Sequence, residues 1–417
     1  MKAGECKKKR RLINAIGPGL LYAAAAVGVS HLVQATRAGA NYGLGLTVVV
    51  IAACLLKYPG LRFGGIYSAA TGESLIASYR REGWCAFLVY SLAQLFSMFF
   101  VIAALSLFTS GLVQAALNIQ IGSAVGAAGM LALVILMLNI GQYGTVERIT
   151  KYIVAIFSVL IATATILVVP KIEWSLSAFA LPKIDATLFP FLLALIGFMP
   201  SPTDASALQS LWTCARATER CERASQKDAA FDFNFGYSIT ILTAMCFLFL
   251  GAGVLHTPGI ELATTNFGFA RQLMTLFTET VGAWSLPIIA LASISVMFST
   301  LYSVVDGYAR IVLEVINYGL PQKKSSRSTK TIYTATGIVL CSGAVVILAT
   351  MMKSFSTFMD LASTIVFITS PILAILNHRA VFGSTFPKES QPNSFMKAWS
   401  IAGILFLAAL TVAYFCT

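Results

Sequence analysis

The sequence predicts an all-α polytopic membrane protein of eleven spans, arranged as two inverted five-helix repeats plus one further helix. Three observations carry that prediction. Hydrophobic residues make up 57% of the 417-residue chain and charged residues only 11%, with a mean hydropathy of +0.80; too few polar side chains exist to cover a soluble globule. Apolar runs of about 18 residues or more, the length that crosses roughly 30 Å of hydrocarbon, recur from end to end. Two of those runs are interrupted, at Gly28-Val29-Ser30-His31 and at Met199-Pro200-Ser201-Pro202.

Taken in order, spans are expected near 17–36, 43–67, 86–110, 119–140, 151–170, 186–212, 233–256, 283–312, 331–351, 357–377 and 398–416. They follow a basic head, residues 1–16, that carries Lys2 and Lys7 to Arg11. A basic head before an apolar run resembles a signal peptide, but no A-x-A-like cleavage site ends the run, so it is expected to be retained. No linker or low-complexity segment divides the chain; the polar stretches Thr213 to Asp232 and Pro321 to Lys330 fit inter-helix loops. One membrane domain over 1–417 is expected, with helices 1–5 in 17–170, helices 6–10 in 186–377 and helix 11 in 398–416. The interruptions fall in helices 1 and 6, five spans apart, and an odd number of spans per half makes the halves run oppositely through the bilayer.

The net charge of +12 marks topology rather than nucleic acid. With the N-terminus inside, 22 of the 29 Lys and Arg residues fall in the head and in the loops holding Arg80, Arg81, Arg148, Lys151, Arg216 to Lys227, Arg310 to Lys330 and Arg379 to Lys397. Such residues collect on the cytoplasmic side, so the N-terminus is expected inside and the C-terminus outside a plasma membrane, of the bacterial inner type. The eight cysteines are scattered; Cys214 and Cys221 are the nearest neighbours, and packing is the expected role. No nucleophile elbow, HExxH or GxxxxGK[ST] pattern occurs, which argues against an enzyme and against direct ATP drive.

Freed backbone groups at membrane depth are tolerated where they line a cavity or lie buried in protein, so the two breaks are the expected binding site. The arrangement suits alternating access better than a continuous pore. Candidate substrate-binding residues are Gly28, Val29, Ser30, His31, Met199, Ser201, Thr203 and Asp204. For His31 the alternative of a structural histidine bonded to a carbonyl stays open; for Asp204, so does a helix-capping role. Glu73, Arg80, Glu147, Arg148, Asp306 and Arg310 fall near helix ends, as gating ion pairs or as solvated loop ends. Lys57 and Arg62 lie inside helix 2 and need partners that sequence cannot name.

The stretch from Gly17-Pro18-Gly19 to Ala35-Thr36-Arg37-Ala38-Gly39-Ala40-Asn41-Tyr42-Gly43 resembles the first helix of the NRAMP (natural-resistance-associated macrophage protein) metal transporters, with GP, a broken DPGN and AT-x-x-AG-x-YG at the same spacing. Met199-Pro200 resembles that family's MPH break, and Ser299-Thr300 in helix 8 and the Pro371 region of helix 10 also fit. The resemblance implies the LeuT (leucine-transporter) fold. It also exposes departures. Gly28 and His31 stand where the family has the Asp and Asn metal ligands, with Val29 and Ser30 between; Ser201 and Ser206 align with helix-6 histidines and Ser363 with a helix-10 glutamine. Met199 alone keeps its ligand identity. A lone thioether does not replace a lost carboxylate for a divalent ion.

Free N–H groups at the restart of helix 1, with the neutral donors of Ser30, His31, Ser201 and Thr203, suit a small oxyanion or a polar neutral solute. The expected cargo is a small inorganic ion, an oxyanion such as bicarbonate, which the resemblance also suggests through a divergent NRAMP-like branch with GVSH-like and MP-x-P-x-D motifs. An anion entering a negative cell works against about 2.3 kcal/mol per 100 mV, so a coupling cation is expected. Sodium is the candidate, between the helix-1 residues Ala26 and Val29 and the helix-8 residues Ser299 and Thr300; no other cofactor, no nucleic acid and no obligatory protein partner is expected besides the lipid bilayer. The rival reading is a divalent metal carrier, proton-coupled or uncoupled, with a site rebuilt around Met199 and Asp204.

Overall fold

The computed structural model describes residues 17–140, 143–319 and 326–416, with side chains at all of these except 143–155, 220 and 326–328. The basic head, Lys323 and Lys324, and the side chains of Glu147, Arg148 and Lys151 lie outside the described residues. Apolar sequence in lipid must satisfy its backbone internally, and the chain does so with helices. They run α1 (Pro18–Ala26), α2 (Ser30–Tyr42), α3 (Thr47–Thr71), α4 (Leu75–Arg81), α5 (Trp84–Leu117), α6 (Ser123–Ile140), α7 (Tyr143–Val168), α8 (Leu188–Phe198), α9 (Ala205–Arg220), α10 (Gln226–His256), α11 (Asn266–Val281), α12 (Leu286–Gly319), α13 (Ser326–Met351), α14 (Phe355–Phe382) and α15 (Ser394–Cys416).

Among the described residues, eight helices are long and apolar enough to cross a membrane, and α1 with α2, bent by 45° at their break, make a ninth. The helix α7, apolar over Ile156–Lys171, and α8, continued beyond a second break by α9, complete the eleven expected spans. Two helices stand outside that series. The short α4 follows α3, and α11 lies between the seventh and eighth spans with Phe269, Leu273, Met274 and Phe277 buried on one face.

Burial sorts the spans. The apolar window of α5 is 83% buried, so it runs through the centre, whereas α6 and α15 are 17% buried and form the rim. Large apolar side chains such as Leu92, Phe96, Val125, Leu291, Leu405 and Phe415 are exposed, as a lipid-facing surface requires. Helices α1 and α2 pack on α10, α3 on α9, α8 on α14 and α12 on α5. Two of these approaches need glycine: a Cβ on Gly19 would strike the Asp232 carbonyl of α10, and one on Gly64 would strike the Ser206 carbonyl of α9. Small residues let membrane helices come this close, and van der Waals contact then replaces the hydrophobic driving force that lipid removes.

Candidate functional site

The first break is one turn of chain. Val27 adopts φ −73°, ψ 78°, and the Gly28 N–H donates to the Ala26 carbonyl at 2.8 Å, an inverse γ-turn. The helix resumes at once, since the His31 and Leu32 N–H groups both donate to the Gly28 carbonyl, at 3.1 and 3.0 Å. Residues Ser30–Ala35 are wound as a π-helix, a local widening that often marks functional sites. The Ser30 hydroxyl reaches back to the Ala26 carbonyl at 2.7 Å, so this break is closed largely by its own residues.

His31 takes the structural alternative. It is fully buried, its Nε2 lies 2.9 Å from the Thr240 carbonyl of α10, and its Nδ1 lies 2.6 Å from the Ser30 hydroxyl. The Nε2–H donates to Thr240, so a neutral ring accepts the Ser30 proton at Nδ1, whereas a protonated ring donates to Ser30 and frees that proton for Ala26.

The second break follows from two prolines. Pro200 and Pro202 lack N–H groups and cannot continue a helix, and Met199 is extended at φ −89°, ψ 132°, with a cis bond to Pro200. The last turn of α8 therefore leaves carbonyls without helical partners. Lys57 of α3 supplies donors: its ammonium donates to the carbonyls of Ile196 and Gly197 at 3.0 Å each and of Ser201 at 2.7 Å. Its charge also sits at the negative end of the α8 dipole. Arg62, the other charge of this span, stacks 5.7 Å from the Tyr58 ring centroid.

Between the breaks lies a small cavity of about 40 Å³. Ala26, Gly28, Val29, Ser30, Ser201 and Asp204 line it, with Val101 and Leu105 of α5 and Val304 and Tyr308 of α12. Five of the eight expected substrate-binding residues thus line one space; His31, Met199 and Thr203 are buried outside its lining, the Thr203 hydroxyl without a hydrogen-bond partner. The Ser201 hydroxyl shares a 2.6 Å hydrogen bond with the Tyr22 hydroxyl of α1, joining the two breaks.

Asp204 stands at the N-cap position of α9 but makes no capping bond. Its Oδ2 instead accepts from Gln94 Nε2 of α5 at 2.9 Å and from the Tyr308 hydroxyl at 2.7 Å. The carboxylate is therefore wired to the central helix and to α12. On the α12 side, the Thr300 hydroxyl lies 2.7 Å from the Ala24 carbonyl, 3.0 Å from Val296 and 3.3 Å from Val27. Hydroxyl and carbonyl oxygens thus lie together beside the first break, but the carbonyls are those of Ala24 and Val27 rather than of the expected Ala26 and Val29, the Ala26 carbonyl being taken by Gly28 and Ser30. Ser299 is buried on the same turn.

Two ties that the sequence did not signal hold the two halves of span one to other helices. Arg37 of α2 makes a two-pronged pair with Asp360 of α14, at 2.6 and 2.9 Å, and Gln34 bonds Ser363 beside it at 2.9 Å. Asp232 of α10 accepts the Gly17 and Gly19 N–H groups, 2.7 Å each, and so caps the start of α1. Of the expected gating groups, Glu73 pairs with Arg81, Arg310 binds Asp306 at 2.8 Å within α12, and Arg80 stacks 3.9 Å over Trp84. The half-buried Glu82 carboxyl, 2.8 Å from Arg379, is pushed up by burial and held back by that guanidinium.

The family model described as natural resistance-associated macrophage protein-like matches residues 19–417. An uncharacterised protein of Pasteurella multocida is 29% identical over 409 residues, spanning 96% of this chain and 91% of that protein. Among solved structures, the manganese transporter of Eremococcus coleocola, in complex with an aromatic bis-isothiourea substituted compound, superimposes with a TM-score of 0.73 at 13% identity, covering 99% of this chain and 88% of that one. MhsT in complex with L-phenylalanine superimposes with a TM-score of 0.69 at 12% identity over 99% of both chains. At these identities the likeness is one of fold. A family match running from the first helix to the last residue leaves one assignment: the chain belongs to the NRAMP family of transporters and is built on the LeuT fold.

Proposed function

We propose that this transporter moves a small oxyanion, bicarbonate in the first instance, by alternating access in symport with sodium, with its N-terminus cytoplasmic in a bacterial inner membrane. The observation that carries the reading is Lys57: the carbonyls freed by the second break already hold an ammonium. A dication arriving there meets a positive charge and occupied oxygens. The family's Asp and Asn ligands and its two helix-6 histidines are replaced by Gly28, His31, Ser201 and Ser206, and His31 is engaged with Thr240. An anion meets the Ser201 hydroxyl and the helix start at Val29 and Ser30 instead. Thr300 with the Ala24 and Val27 carbonyls supplies neutral oxygens of the kind that bind sodium without a carboxylate.

The test is uptake of labelled bicarbonate into liposomes holding the purified protein, with an inward sodium or choline gradient and with manganese followed in parallel. Sodium-dependent bicarbonate accumulation without manganese flux is expected. Manganese flux without bicarbonate uptake would establish the rival carrier, in which Asp204, the one carboxylate lining the cavity, serves the metal with Met199; uptake unchanged in choline would remove sodium.

A further inference from the structure

We propose that Lys57 is a built-in cation, seated in a carbonyl cradle that would otherwise take a free monovalent cation, and that its presence there excludes such cations from the second break. The proposal rests on the reading of that break as part of the substrate site. An ammonium has three donors and no acceptor. Here each donor has one carbonyl, from Ile196, Gly197 and Ser201, at 2.7 to 3.0 Å, so none is left for a substrate. Lys57 is 3% exposed in the middle of α3, where an unpaired charge would be expensive, and its retention there implies partners that repay desolvation.

The cradle itself has the character of an ion site. Two oxygens come from the last turn of α8, the negative end of its dipole, and the third from the far side of the break, so they converge from both sides of interrupted chain. Carbonyl oxygens gathered in this way replace the hydration shell of potassium-sized ions in channels, and an ammonium group is of that size. Tethered to α3, the amino group cannot diffuse away, so the carbonyl oxygens of the break stay occupied and do not become ligands for a transported cation. Three residues beyond Ser201, Asp204 supplies a carboxylate of the same segment, and its Oδ2 is engaged by Gln94 and Tyr308 rather than by Lys57. Lys57 is thus a specificity-determining residue that acts by occupancy rather than by touching substrate.

The experiment measures binding of radioactive rubidium, as a potassium-sized probe, to purified full-length protein in detergent. Wild type is expected to retain none above background, and Lys57→Met, which keeps the side-chain volume and removes the charge, is expected to gain saturable binding about tenfold or more above background that unlabelled potassium displaces. A folded Lys57→Met protein that gains no rubidium binding overturns the proposal. If the variant is too unstable to assay, its thermal unfolding is followed in potassium chloride and in choline chloride at equal ionic strength. Selective stabilisation by potassium is expected from ligand linkage, and equal unfolding in both salts overturns the proposal. Neither readout involves bicarbonate, so failure of the substrate reading and failure of this one are separable.

Discussion

The two breaks solve the same problem by opposite means. Span one closes its gap largely with neighbours in sequence, Gly28 to Ala26, Ser30 to Ala26, His31 and Leu32 to Gly28, and takes only a neutral hydroxyl, that of Thr300, from another helix. Span six leaves its carbonyls to Lys57, 139 to 144 residues earlier in the chain. A gap closed from within can bend without losing its bonds, whereas a gap closed from another helix is tied to the position of that helix. The contrast suggests that the first break supplies the hinge and the second the rigid floor of the cavity, with Tyr22 and Ser201 as the joint between them.

The sharpest way to break this comparison is to remove each closing group in turn. Lys57→Ala leaves three buried carbonyls without their donor and is expected to destabilise the protein by about 3–5 kcal/mol, whereas Ser30→Ala removes only the local contacts with the Ala26 carbonyl and His31 Nδ1 and is expected to cost about 1–2 kcal/mol. Chemical or thermal unfolding of both variants in the same detergent decides it; equal losses would mean that the breaks are held alike. Thr300→Val removes the hydroxyl that spans α12 and the carbonyls of the first break. It is expected to raise the half-saturating sodium concentration of uptake about tenfold, near 1.4 kcal/mol, with little effect on maximal rate. The smallest effect is expected for Gly28→Ala, whose Cβ would lie 3.1 Å from Thr300 Cγ2 and 3.4 Å from Leu105 Cδ2. Those methyl groups can shift slightly, so a stability change under about 1 kcal/mol is expected, and a larger loss would show the first break to be as rigid as the second.

Much of the architecture was legible residue by residue. Hydropathy located the eleven spans, and the prolines at 200 and 202 located the second break, because lipid demands internally bonded helices and proline cannot supply the donor. The first span ran on to Tyr42 rather than ending near residue 36, since packing against α10 outweighs the weak helix propensity of Gly39 and Asn41. The helix α11 escaped notice because only one of its faces is apolar. The site was legible in outline: Gly28, Val29, Ser30, Ser201 and Asp204 do meet around one cavity.

The partners were another matter. His31 could be read as facing the cavity or as bonding a carbonyl, and only the position of Thr240 on α10 decided for the carbonyl. Lys57 was an unexplained charge until α8 brought its last turn alongside. Arg37 and Asp360, 323 residues apart, and Asp232 with Gly17, 215 residues apart, carried no sequence signal of their pairing. Local rules of hydropathy, helix breaking and motif spacing act within a few turns of chain and so determined the spans, the breaks and the family. Which donor meets which orphan carbonyl depends on how whole helices pack, and tertiary structure alone decided that, because the energy of a buried charge is set by its neighbours in space.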